Sequence, residues 1–187
     1  MLDLNCILSS DYYKKELERI DRDNSVEQGL YFIIQSLLRS TIEEKYWVTD
    51  ISTRSKKHIG FSKSVPDLTI LEDGKTLFNP IAVAEIKYFP WSKKEYLTNN
   101  ERQVKSYLKQ VDKVIYTNGI EWIFLYGKGG SLERKESICL GNDRNTPESY
   151  YECINKKKLL YQIHWKNESD FKVSWDDLIC KLGAFLK

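Results

Sequence analysis

The chain has 187 residues, of which 41% are hydrophobic and 13% aromatic, a composition that suits one domain with a well-formed core and excludes a disordered chain. Its 29 basic residues nearly balance 27 acidic ones, for a net charge of +2, so overall charge designates no polyanionic partner and only local clusters bear on that question. The cysteines Cys6, Cys139, Cys153 and Cys180 form no Cys-x-x-Cys pair, and His58 and His164 stand apart, which argues against zinc. No apolar run of signal-peptide length opens the chain and none approaches a membrane span. A cytoplasmic location with reduced thiols, away from any membrane, is therefore expected.

Residues 11–23 read as a charged, possible helical lead-in. Asn24 with Glu27 three positions on forms a capping box, and Val26, Leu30, Ile33, Ile34, Leu37 and Leu38 recur at helical spacing, which predicts a helix over 26–38 with a broad buried face. Tyr46–Ile51 reads as a strand, followed by a loop over 52–64 that carries Arg54, Lys56, Lys57, His58 and Lys63. Leu68–Leu71 and Ile81–Tyr88 read as the strands of a long hairpin, with Asp73-Gly74 as its turn signal. Pro90 ends the second strand, and Val104, Tyr107, Leu108 and Val111 predict a helix over about 101–113.

Val114–Tyr116 and Trp122–Tyr126 read as short strands around the turn Thr117-Asn118-Gly119. Residues 127–158, with the basic run Lys156-Lys157-Lys158, are expected to be polar and loop-rich. A last strand over 159–165 and a helix from Trp175 to about Leu186, capped by Ser174, complete the reading. The order of elements predicts an α/β fold, a mixed central β-sheet flanked by helices.

The chemistry concentrates in Val65-Pro66-Asp67-Leu68-Thr69-Ile70 and Ile81-Ala82-Val83-Ala84-Glu85-Ile86-Lys87-Tyr88. Apolar strands do not ordinarily hold carboxylates and a lysine, because desolvating either charge costs several kcal/mol (roughly) without a partner or a metal. An acid-x-Lys triplet alone says little: the chain has five, at Glu43–Lys45, Asp73–Lys75, Glu85–Lys87, Glu133–Lys135 and Asp170–Lys172. Glu85–Lys87 differs in lying within an apolar strand, after the only Pro-Asp dipeptide, at a distance suited to an adjacent antiparallel strand.

Strand alternation aims Glu85 and Lys87 at one face, and the hairpin can bring Asp67 beside them. Two carboxylates that close stay ionised when a cation lies between them, and a hard ion with oxygen ligands, Mg²⁺ above all, meets that demand. Lys87 could then hold an attacking water or stabilise charge on a phosphate, parts that suit phosphodiester hydrolysis. A cross-strand salt bridge on a wet sheet face would gather the same three residues. Glu27 lies on the helical stripe Glu27, Tyr31, Ile34, Leu38, where it either reaches the sheet or caps its helix with Asn24. Gln103 adjoins the apolar stripe of the later helix four residues before Tyr107. Its amide could orient a phosphate or the lysine, or simply lie at the surface over a core tyrosine.

The ordered set Glu27, Pro66-Asp67, Glu85-Ile86-Lys87 and Gln103-Val-Lys-Ser-Tyr107 resembles the PD-(D/E)xK nuclease superfamily. The Gln-x-x-x-Tyr element and the segment Tyr116-Thr117-Asn118-Gly119-Ile120-Glu121-Trp122 are similar to those of its RecB-like and type I restriction-subunit branches. The resemblance implies a restriction-endonuclease-like core over about 24–127 within a single domain, 1–187, with 128–187 an extension that holds a strand and a helix. It implies Asp67, Glu85, the Ile86 carbonyl and Glu27 as ligands of Mg²⁺, for which Mn²⁺ would substitute, with Lys87 as catalytic lysine and Glu27 and Gln103 in support.

Such an enzyme would cleave DNA in restriction, defence or mobile-element biology, as a homodimer or beside a separate motor protein, since the chain has no phosphate-binding Gly-x-x-x-x-Gly-Lys-Ser/Thr loop. Lys56, Lys57 and Lys63 of the basic loop, with Tyr107, are the candidate nucleic-acid contacts. A junction-selective resolvase on the same core, and a non-catalytic nucleic-acid or protein-binding module, are the alternatives.

Overall fold

The computed structural model describes residues 8–23, 27–53, 61, 64–88, 95–145 and 163–186. The chain enters through two helices, α1 (Ser10–Asp23) and α2 (Glu27–Thr41). On α2 the predicted apolar spacing is realised: Leu30, Ile33, Ile34, Leu37 and Leu38 are buried. Each such side chain contributes about 1.5–3 kcal/mol when fully removed from water. The Asn24 half of the capping box lies outside the described residues.

Three antiparallel strands follow, β1 (Tyr46–Asp50), β2 (Leu68–Glu72) and β3 (Ala82–Ile86). Gly74 turns the β2–β3 hairpin at φ 79°, a conformation that costs glycine nothing sterically. β3 is shorter than the apolar run predicts, ending at Ile86. The outer edge of β1 is partly covered by α2, because Gln35 Nε2 (3.0 Å) and Arg39 Nη2 (2.7 Å) both donate to the Val48 carbonyl.

The chain then crosses through α3 (Glu95–Tyr107) to β4 (Lys113–Thr117), which pairs with β3 in parallel. α3 begins and ends earlier than predicted. It closes in turns at its carboxyl end, where the amides of Gln110 (2.8 Å) and Val111 (3.0 Å) both donate to the Tyr107 carbonyl, and Lys113 belongs to the next strand. β5 (Glu121–Lys128) and β6 (Ser131–Cys139) complete a six-stranded mixed sheet in the order β1-β2-β3-β4-β5-β6.

β6 corrects the expectation of a loop-rich 127–158. Its nine residues, SLERKESIC, are mostly exposed, so no apolar alternation marks the strand; hydrogen bonding to β5 defines it. Gly127, beside the irregularity that precedes the β5–β6 turn, is demanded by space, since a Cβ there would lie 2.0 Å from the Ser131 carbonyl oxygen. Of the predicted last strand, residues 159–162 lie outside the described set, and 163–165 contribute a single bridge, Gly141 with Trp165.

The last helix, α4 (Glu168–Phe185), starts about two turns before the predicted position. Asn167 is its cap, its Oδ1 accepting from the Asp170 amide at 2.9 Å, which satisfies a donor that the helix itself cannot. Ser174 is instead buried within the helix and accepts from Lys166 Nζ at 2.8 Å.

Two apolar layers cover the sheet. Residues of α1, α2 and α4 pack with Val48, Leu68, Ile70, Ala84, Ile86, Ile115 and Phe124 on one face. Val104, Tyr107 and Leu108 of the α3 segment pack with Val83, Val114, Tyr116, Ile123 and Leu125 on the other. β6 and α4 are thus joined to the sheet and core built by the earlier residues. Among the described residues no helix is long and apolar enough to cross a membrane.

Candidate active site

β2 and β3 hold their register with Leu68 opposite Ala84 and Thr69 opposite Val83. Continuing it by one residue sets Asp67 opposite Glu85, and the Ile86 amide donates to Asp67 Oδ2 at 2.7 Å. Both carboxyl groups are buried, Asp67 being 7% and Glu85 2% exposed. The hairpin therefore does what its sequence predicts, bringing two acids together inside the fold.

Lys87 lies just beyond the end of β3, with its backbone amide donating to the Thr117 carbonyl of β4 at 2.9 Å. Thr117 is in turn held by its own turn: its Oγ1 donates to the Glu121 carbonyl at 2.8 Å and accepts from the Gly119 amide at 2.9 Å. Asn118 Oδ1 accepts from the amides of Ile120 (2.9 Å) and Glu121 (2.7 Å), and Gly119 takes φ 86°. The Thr-Asn-Gly segment thus buttresses the lysine backbone from the neighbouring strand. The Lys87 ammonium donates to Glu85 Oε1, lies 3.3 Å from the Ile86 carbonyl oxygen and 3.9 Å from Glu27 Oε2.

The helices close the site from opposite faces of the sheet. From α3, Gln103 Nε2 donates to Glu85 Oε1 at 2.6 Å and to the Tyr107 hydroxyl at 2.9 Å, while that hydroxyl donates to Glu85 Oε2 at 2.6 Å. Spacing of four residues puts both side chains on one helical face. Tyr107 as a nucleic-acid contact is therefore corrected: it is 0% exposed, and its hydroxyl is committed to Glu85. From α2, Glu27 faces Lys87, and Tyr31 one turn on donates to Asp67 Oδ1 at 2.6 Å. Tyr31 is the residue that sequence reading passed over. Its position four residues after Glu27 on the same stripe was the available signal.

Burial raises the Asp67 carboxyl and the nearby Glu85 charge adds to it, so that Asp67 is pushed up to about 7 despite the bonds from Tyr31 and Ile86 and the Lys87 charge. Glu85 is likewise raised by burial, against the opposing pull of Lys87, Tyr107 and Gln103. For Lys87, burial works against the ammonium, but Glu85, then Glu27 and Asp67, outweigh it and its pKa rises. Tyr31 and Tyr107 are raised by burial and by the carboxylates they face, so both remain hydrogen-bond donors.

These residues surround one ammonium with three carboxyl groups, two of them buried. The side-chain and carbonyl acceptors offered by Asp67, Glu85, Glu27 and Ile86 are all oxygens, the donor set of a hard divalent cation. Such an ion would supply the positive charge that the lysine alone does not, so the residues fit the metal expected of them. Among the described residues no group of three or more His, Cys, Asp or Glu side chains is already drawn together as a metal cluster. Glu27 is linked to the paired acids through Lys87 and Tyr31. Lys56, Lys57 and Lys63 lie outside the described residues.

No protein-family model, no curated protein and no solved structure matches the chain in comparisons with known proteins.

Proposed function

We propose that the chain is a divalent-cation-dependent nuclease of PD-(D/E)xK type that hydrolyses phosphodiester bonds of DNA. The observation that carries this reading is the pair of buried carboxyl groups, Asp67 and Glu85, joined at the strand ends with the Lys87 ammonium bonded to Glu85. A salt bridge serving stability alone would need one acid for one lysine. Here Glu85 and Glu27 both pair with it and buried Asp67 lies within reach of its charge, and desolvation of surplus negative charge is unfavourable without a second cation.

Asp67, Glu85, the Ile86 carbonyl and Glu27 would hold Mg²⁺ or Mn²⁺. When bound, the ion supplies Lewis-acid polarisation of the phosphate and a more acidic water. Gln103 and Tyr107 fix both oxygens of Glu85, and the Ile86 amide and Tyr31 fix both oxygens of Asp67, so the carboxylates are set before substrate arrives. Lys87 would orient the attacking water and balance negative charge developing on the phosphate. The water oxygen forms the new bond to phosphorus and gives up a proton to solvent, the bridging phosphorus–oxygen bond breaks, and the departing oxygen takes a proton from solvent.

The test is a cleavage panel of single-stranded, duplex, modified and four-way-junction DNA together with RNA, each with Mg²⁺ or Mn²⁺. Wild-type protein is expected to cut DNA only with the metal, and Asp67→Ala to lose cutting while keeping its circular-dichroism spectrum. Selective cutting of the junction would assign the resolvase activity. Wild-type protein inert on every substrate with either metal would overturn the reading in favour of a binding module.

A further inference from the structure

The Tyr31 hydroxyl stands between two acids, 2.6 Å from Asp67 Oδ1 and 3.3 Å from Glu27 Oε1. A phenol has one proton to donate, and the shorter contact assigns it to Asp67. With the Ile86 amide on Oδ2 at 2.7 Å, each Asp67 oxygen carries one donor, which stops rotation of the carboxyl group and leaves each oxygen a lone pair. The same hydroxyl lies in the path between Glu27 and Asp67, four residues from Glu27 along α2. Tyr31 is partly buried, packed against the core that α2 shares with the sheet, so its ring has a fixed seat.

We propose that Tyr31 is a positioning residue, whose hydroxyl orients Asp67 for a divalent cation and keeps the Glu27 and Asp67 carboxylates at their working separation. The inference rests on the metal-site reading above. It extends that reading to a group on α2 that touches neither metal nor substrate. Loss of such a supporting bond to a metal ligand typically weakens metal affinity by about 10–100-fold.

Mn²⁺ is titrated calorimetrically into the full-length wild type, Tyr31→Phe and Tyr13→Phe. Tyr13 is the control, a fully buried tyrosine whose hydroxyl donates to the Gly119 carbonyl at 2.7 Å and touches none of the acids. The expected result is Mn²⁺ binding by wild type, at least about tenfold weaker binding by Tyr31→Phe, and unchanged affinity for Tyr13→Phe. Tyr31→Met, which also lacks the hydroxyl and fills the space with a flexible chain, must show the same loss and serves if the phenylalanine variant does not fold. Affinity retained in the Tyr31 variants, or lost equally in Tyr13→Phe, overturns the role of Tyr31 while the metal site stands. No Mn²⁺ binding by wild type overturns the metal site and the role together.

Discussion

At Asp67, burial and the adjacent Glu85 act in the same direction, and the acid is held protonated up to about pH 7. Its ordinary value in an unfolded chain is about 3.9, so between these limits the folded state binds the extra proton. The sign follows: the contribution of Asp67 to stability is full below the unfolded pKa and is lost as pH rises to about 7.

Asp67→Asn keeps an acceptor for the Ile86 amide and can donate to the Tyr31 oxygen, but it has no charge to desolvate. In a chelator, the melting temperature of wild type is therefore expected to fall from pH 5 to 8 more steeply than that of Asp67→Asn, leaving the variant more stable at pH 8. Parallel melting curves would show that Asp67 is ionised without cost. The paired acids and Lys87 were legible because charge inside apolar runs is anomalous. Tyr31 was not, since a tyrosine on a helical stripe reads as core until its hydroxyl partner is known.

At the scale of elements, legibility tracked burial. α2 and the β2–β3 hairpin bury the residues whose spacing predicts them. β6 is an edge strand with most side chains in solvent, so its sequence lacks the alternation that a half-buried strand would impose. Its charges also discourage pairing with other chains at that edge. The start of α4 was misplaced because Asn167 and Ser174 are both good caps, and only the backbone decides between them.

Asn167 accepts from the Asp170 amide, while Ser174 is seven residues inside the helix. Asn167→Ala is accordingly expected to lower unfolding free energy by about 1 kcal/mol in denaturant titration. An unchanged midpoint would remove that bond from the account of α4. The parallel pairing of β3 with β4 is the link that no local pattern revealed. It sets Thr117 beside Ile86 and so gives the Lys87 backbone its anchor.

Across the whole molecule, the acids lie where the two apolar layers meet the ends of β2 and β3. α2 brings Glu27 and Tyr31 from one face, and α3 brings Gln103 and Tyr107 from the other. Neither helix alone completes the group, which is why the spacing of the motifs along the chain carries meaning only once the sheet has formed. Among the described residues beyond 127, β6 and α4 extend the sheet and cover the α1–α2 face without contributing to the group around Lys87.

The central claim is that this group hydrolyses phosphodiesters with Lys87 as the catalytic cation beside a metal. It is tested most directly by the rate of duplex DNA cleavage in Mg²⁺ by wild type and Lys87→Met, with Mn²⁺ binding measured on both proteins. The account predicts metal-dependent cutting by wild type, and a rate at least about 10²-fold lower for the variant, which still binds Mn²⁺ because Glu85 and the Ile86 carbonyl are released from the lysine. Equal rates for the two proteins, or no cutting by wild type that binds the metal, would contradict it.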